Sequence, residues 1–337
     1  MHSPPGQVSR TTQTLIAFTT AVSERGGETK AELGVVEPEI GLVQNNDFAA
    51  TRFTETFVEC GGNRLHFVEG GYGAPLLLVP GWPQTWLAWR KMMPVLARRY
   101  RVIAVDPPGL GDSAPPADGQ YDTANVANIL HQLVLKLGLS KIIYVGHDVG
   151  VWIGYNYGAL YGSEGVAHLT LIDGTIPGVA PVQADPWDPI WVTRSWHFFF
   201  NQLETLPEQL TAGHEREYLT WWFRSKALRL ECFTNQEIEA YCHEYSKPNR
   251  LTQGWAYSRA IPRTAKINRQ FATKPLAMPV LAIGGSNSAG LNLARAIAQS
   301  TPDVVGEVIA ESGHFVPEEQ PERTAAVLFG ALSAANL

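Results

Sequence analysis

Lys141-Ile142-Ile143-Tyr144-Val145-Gly146-His147-Asp148-Val149-Gly150-Val151-Trp152-Ile153-Gly154-Tyr155 reads as a strand, a sharp turn and a helix. The apolar run Lys141–Val145 suits a strand buried on both faces, and helical spacing starts at Val149 and lasts to Tyr161. The link between them is Gly146-His147-Asp148-Val149-Gly150. A turn this tight strains its central residue and tolerates only small flanking residues. It also places Asp148 at a helix N-terminus, where negative charge is favoured. Alone, a G-x-D-x-G pattern is weak, because an ordinary strand-end turn also shows it. Its surroundings decide.

Upstream, Thr56–Cys60 and Arg64–Glu69 read as strands joined by Gly61-Gly62-Asn63, a hairpin turn. Leu76–Val79 and Val102–Val105 are short buried strands, and Trp86–Tyr100 and Thr123–Leu137 have helical spacing. His168–Ile172 is a strand. After it the alternation stops, and an aromatic, helical stretch follows. Alternation resumes with strands over Val280–Ile283 and Val304–Ala310 and helices over Leu291–Gln299 and Pro321–Leu332. The implied class is α/β, with a mostly parallel, doubly wound sheet and an inserted helical cap. The expected division is a core over 51–178 and 275–337, a cap over 179–274, and an N-terminal extension, poorly ordered or wrapped on the surface, over 1–50. Within that extension, Leu15–Val22 reads alternatively as a weak signal-peptide core. Ligands of such sheets bind beyond the carboxyl ends of the strands, where the cap would close.

Composition excludes several classes. The chain has 337 residues and a net charge of −6 with no long basic run, which disfavours nucleic acid. No apolar stretch is long enough to span a bilayer. Cys60, Cys232 and Cys242 lack CxxC spacing, which argues against a zinc site or a disulfide framework, a Cys232–Cys242 bridge being the alternative. No metal or organic cofactor is expected. The expected location is the cytoplasm, with secretion or the periplasm left open, and a homodimer is an open alternative to a monomer.

Three further segments carry chemistry. Pro80-Gly81-Trp82-Pro83 follows the strand Leu76–Val79, so the Trp82 N–H can aim where the Val149 N–H aims, and two such donors form an oxyanion hole. The alternative is a Pro-Gly turn with no role. Pro83 is a candidate cis residue. His314, in Glu311-Ser312-Gly313-His314-Phe315, lies just past a strand, on the edge where Asp148 lies, and is a candidate base. An acid must orient it. Gly284-Gly285-Ser286-Asn287-Ser288 has no carboxylate, which leaves Asp173, directly after His168–Ile172, unless Asp173 merely caps a turn.

The set Gly146–Gly150, Gly81-Trp82-Pro83-Gln84-Thr85-Trp86, Asp106–Ser113 and Ser312–Glu322 resembles the α/β-hydrolase-fold epoxide hydrolases and their dehalogenase relatives, over residues 51 to 335. Within that family it is most similar to the Cif-like epoxide hydrolases. The resemblance implies Asp173 as the relay acid and a His–Tyr pair in the cap, matched by His197 and Tyr257, with Tyr241 and Tyr245 as substitutes for the latter. It implies a carboxylate that opens an epoxide at carbon, an alkyl ester on Asp148, and water activated by His314 that releases a vicinal diol. Trp152, Trp196 and Phe198 would contact substrate. The cap also holds Trp187, Trp191, Trp221, Trp222 and Trp255. Most would form cap core and some would line the pocket, implying an apolar or aromatic epoxide.

The chain departs from the family at Pro80, where His is usual. Phe198 follows the cap histidine where fluoroacetate dehalogenases have Trp. Val149, Val151 and Trp152 stand where those enzymes carry arginines, which argues against a short haloacid. A haloalkane or haloacid dehalogenase using Asp148 is the runner-up, with Trp196 as a halide donor. A non-catalytic binding protein of this fold would call for a broken catalytic set. An esterase would need Ser at position 148.

Overall fold

A computed structural model describes residues 52–179 and 187–337. Leu15–Val22 and the rest of the N-terminal extension lie outside the described residues, as does Thr51. Among the described residues, eight strands form one sheet: β1 (Thr54–Cys60), β2 (Asn63–Gly70), β3 (Ala74–Val79), β4 (Tyr100–Val105), β5 (Ile142–His147), β6 (Val166–Ile172), β7 (Val280–Gly285) and β8 (Val305–Ile309). Their order is β1-β2-β4-β3-β5-β6-β7-β8. The first two pairings in that order are antiparallel and the remaining five parallel, so the sheet is mixed but largely parallel.

Among the described residues, three α-helices precede β6: the short α1 (Met93–Leu96), α2 (Thr123–Lys136) and α3 (Val149–Gly165). The alternation of side chains along each strand builds two cores. Leu77, Val79 and Tyr144 face one side, where they pack with Leu130 of α2 and Ile153 of α3. Leu76, Leu78 and Val145 face the other side, with Trp89 and Leu328. Every residue of β5 and β7 is buried, whereas β8 at the sheet edge is mostly exposed. The strand that delivers Asp148 is therefore fixed on both faces.

The expected helix Trp86–Tyr100 is corrected to a 3₁₀ turn over Trp86–Trp89 followed by α1. Pro94 has no N–H for the Arg90 carbonyl and would clash with it, so the helix restarts with proline in its first turn. Tyr100 instead begins β4.

Between β6 and β7 lies the helical cap: α4 (Pro189–Phe200), α5 (Leu206–Thr211), α6 (Glu215–Lys226), α7 (Asn235–Tyr245), α8 (Arg250–Arg259) and α9 (Ile261–Phe271). Helices α10 (Asn292–Ala298), α11 (Val316–Glu319) and α12 (Pro321–Ala334) return to the core. The cap is tied down by polar bonds. Lys247 Nζ donates to Asp112 (3.0 Å), Arg250 to the Ser113 carbonyl (2.7 Å), and Tyr241 to the buried Glu318 (2.9 Å). Cys60, Cys232 and Cys242 are free and buried. No helix among the described residues is long and apolar enough to cross a membrane.

Candidate active site

β5 ends at His147, and Asp148 turns the chain into α3 with φ 53° and ψ −114°, a conformation that side chains rarely adopt. Its N–H donates to the Ile172 carbonyl (3.3 Å), and its own carbonyl accepts from the Val151 N–H (2.9 Å). The small neighbour is required here: a Cβ on Gly150 would lie 2.1 Å from the Val79 carbonyl oxygen. The strain thus follows from crowding of β3 against the start of α3.

The turn after β3 meets Asp148 from the other side. The Trp82 N–H donates to Asp148 Oδ1 (3.1 Å), and the Val149 N–H also supports the carboxylate. A Cβ on Gly81 would come within 2.3 Å of Asp148 Oδ1, so only glycine lets this loop approach. The Trp82–Pro83 peptide is cis.

His314 follows β8. Its Nδ1 lies 2.7 Å from Asp173 Oδ1 and its Nε2 3.5 Å from Asp148 Oδ2. Asp173 is fixed in turn by Ser288 Oγ (2.7 Å) and by the N–H groups of Gly285 (2.7 Å) and Ala289 (3.2 Å). The carboxylate thus comes from β6 and its anchors from the carboxylate-free loop after β7. Because Asp173 only accepts, Nδ1 of a neutral His314 carries the proton and Nε2 is left to act.

The electrostatics couple the pair. Burial alone would raise the Asp148 pKa, but the adjacent His314, with His147 and the Val149 N–H, holds it below the usual range. Burial alone would lower that of His314, but Asp148 and Asp173 push it up to about 9. Both shifts run toward the charged forms, a protonated His314 beside an ionised Asp148.

Three positioning groups have no signal in a single sequence. Glu319, on α11, accepts from the N–H groups of Gly313 (2.8 Å) and Phe315 (3.0 Å), bracketing His314, and from Leu228 (2.9 Å) and Arg229 (3.0 Å) of the cap. His147 lies 2.8 Å from the His314 carbonyl through Nε2. Ser288 is the third. Only the fold brings each to its partner.

A small cavity opens above Asp148. Trp82, Val149, Trp152, Phe198 and Trp222 supply its apolar wall, and His197, Asn201 and Ser258 are its polar groups from the cap. His197 is 7% exposed and packs on Phe198 and Trp222, with ring centroids 4.1 and 4.6 Å away. Burial, with the nearby Lys226 charge, lowers its pKa to about 3, so the ring is neutral.

Two sequence-based expectations are corrected. Tyr257 is buried in α8, does not line the cavity, and donates its hydroxyl to the Pro108 carbonyl (2.8 Å). Its substitutes are also engaged, Tyr241 with Glu318 (2.9 Å) and Tyr245 with the Gln84 carbonyl (3.1 Å). Trp196 packs on Phe200 and Trp221 outside the cavity. Helical spacing explains both. Gly254 and Ser258, one turn apart, present the cavity face of α8, and Tyr257 projects off it. Of the other cap tryptophans, Trp222 and Trp255 are buried while Trp187 and Trp221 are exposed. The Trp191 side chain lies outside the described set.

Glu55, His66 and Asp112 are the only described group close enough to hold a metal. His66 already pairs with Asp106 (2.7 Å) and Glu55 (2.8 Å), and Asp112 with Lys247 (3.0 Å), so their charges are matched internally.

A family profile described as alpha/beta hydrolase fold matches residues 74–321. The soluble epoxide hydrolase of Corynebacterium sp. (strain C12) is 33% identical over 81% of this chain and 95% of its own length. The crystal structure of Cfl2 from Burkholderia cenocepacia is 40% identical with a TM-score of 0.79, over 82% of this chain and 95% of that one. The Cif epoxide hydrolase of Acinetobacter nosocomialis, 24% identical with a TM-score of 0.76 over 83% of this chain and 89% of that one, shares the fold. The chain belongs to the α/β-hydrolase-fold epoxide hydrolases, and it is an enzyme of that family.

Proposed function

We propose that this enzyme converts a small apolar or aromatic epoxide to a vicinal diol through an ester on Asp148. One observation carries the reading. Asp148 Oδ1 already rests on the Trp82 N–H, Oδ2 lies 3.5 Å from His314 Nε2, and the residue lines the cavity. Oδ2 attacks an epoxide carbon, the C–O bond breaks, and its electron pair passes to the ring oxygen, facing the His197 side of the cavity. Oδ1 becomes the ester carbonyl, already placed in the hole formed by the Trp82 and Val149 N–H groups.

The coupled charges time the second step. Esterification removes the Asp148 charge that helps keep His314 protonated. His314 then releases its proton, which passes through water to the alkoxide. The neutral imidazole, oriented by Asp173, takes a proton from the attacking water. Ester cleavage restores both charges, and the sum is epoxide plus water giving diol. Aromatic lining and limited volume favour small, apolar substrates. The unpaired, buried cysteines support a cytoplasmic location.

The test is trapping. An enzyme carrying His314→Gln should accumulate one epoxide mass on Asp148, located by peptide mass spectrometry. No adduct across a broad panel of aryl and alkyl epoxides, or adducts from haloalkanes alone, would overturn the reading.

A further inference from the structure

Resting on that reading, we propose that Asn201, one helical turn beyond His197, is the second cap donor to the epoxide oxygen, a role that no tyrosine is placed to fill among the described residues. The Asn201 N–H bonds the His197 carbonyl (2.8 Å), so both side chains share one face at the end of α4. Asn201 is 1% exposed and lines the cavity with Asp148.

The chemistry of its neighbours fixes which way the amide points. The Tyr218 hydroxyl lies 3.2 Å from Asn201 Oδ1. The Tyr218 ring packs edge-on against Trp255, with centroids 6.2 Å apart, which holds the phenol in place. In that contact the phenol O–H is the donor and Asn201 Oδ1 the acceptor. A donated proton calls for the amide oxygen. The NH₂ group must therefore face away from Tyr218, and no described residue accepts from it. An amide NH₂ on the cavity wall that no described residue engages is available to an acceptor on the ligand. The oxygen that gains charge as Asp148 attacks is such an acceptor.

Ser258, also on the cavity wall, can donate or accept and so does not report the sign of its partner. The Asn201 amide, held by Tyr218, presents donors only. Donors of this kind stabilise charge without giving up a proton. The bond that forms is Asp148 Oδ2 to carbon, the bond that breaks is carbon to ring oxygen, and the proton that follows comes through water.

Adduct formation in the His314→Gln background isolates ring opening from ester hydrolysis. With styrene oxide and a short alkyl epoxide at saturation, adding Asn201→Leu should slow labelling of Asp148 by about 10²-fold, the loss typical of one such donor. Adding Tyr218→Phe, which leaves the amide free to turn, should slow it by about 10-fold and keep the fold if Asn201→Leu does not. Across ring-substituted styrene oxides, the rate in the Asn201→Leu background should depend more steeply on the basicity of the leaving oxygen, a readout that a packing defect would not move. Labelling within about threefold of the parent in both variants would overturn the role of Asn201 while leaving the Asp148 mechanism standing. A parent that no epoxide labels would overturn the Asp148 mechanism, and the Asn201 role with it.

Discussion

Asp173 and His197 both face the catalytic centre, and they are held in opposite ways. Asp173 accepts from His314, Ser288, Gly285 and Ala289, so its oxygens are saturated. The ring Nδ1 of His197 has no hydrogen-bond partner among the described residues, and the ring is buried among aromatic neighbours and kept neutral. The core side uses hydrogen bonds to fix a charge that persists through the reaction. The cap side withholds them, so donors remain for a charge that exists only after the ring opens.

Breaking the saturated side should have the largest effect. Asp173→Asn keeps the size of the side chain but offers an amide where His314 needs an acceptor, so the wrong tautomer or ring orientation results. Turnover should fall by roughly 10³- to 10⁴-fold, as when an orienting carboxylate is lost in related triads. Because Asp148 still attacks, ester should accumulate. A loss without adduct would place Asp173 in ring opening and erase the division of labour between core and cap.

Next in size is a change between the two sides. Gly81→Ala would drive a methyl into Asp148 Oδ1 and the Val149 N–H. The loop must retreat and lose the Trp82 bond. Turnover of roughly 10- to 10²-fold less is expected, near one lost oxyanion donor. Activity within twofold would show that the loop has no part in the chemistry.

The core side also makes a prediction about pH. Burial alone would lower the His66 pKa, but Asp106 and Glu55 raise it to about 9, as Asp148 and Asp173 do for His314. Both folded values lie above the unfolded value of about 6.5, so the protonated rings stabilise the fold. That contribution is complete below about pH 6.5 and fades as pH rises through about 9. Thermal midpoints should fall across that window, and His66→Gln should flatten the fall. An unchanged slope would mean that His66 is uncharged in the fold.

How much of this was legible beforehand differs between the same two sides. The strand-turn-helix around Asp148 is encoded locally, by Gly150 beneath the turn and by an apolar strand before it. His314 and Asp173 follow strands, so sheet order alone brings them to one edge. The cap offers no such rule. Which face of α8 meets the cavity depends on how helices stack, and aromatic residues crowd every face. Tyr257 and Ser258 are adjacent in sequence, yet only Ser258 reaches the site. Asn201 sits in an ordinary Phe-Asn-Gln stretch, and its meaning comes from Tyr218, on another helix.

The smallest effect tests the corrected cap. The Tyr257 hydroxyl donates to the Pro108 carbonyl and forms no part of the cavity wall. Tyr257→Phe removes that bond and leaves a buried carbonyl short of one donor, which should cost about 1 kcal/mol of stability. Ring-opening rates, followed as adduct formation in the His314→Gln background, should stay within about threefold of the parent. A loss of 10²-fold would return Tyr257 to the site: α8 would then have to rotate during the cycle, breaking the Pro108 bond to bring the phenol over the epoxide. The contrast between a saturated core and an unpartnered cap would in that case describe only the resting enzyme.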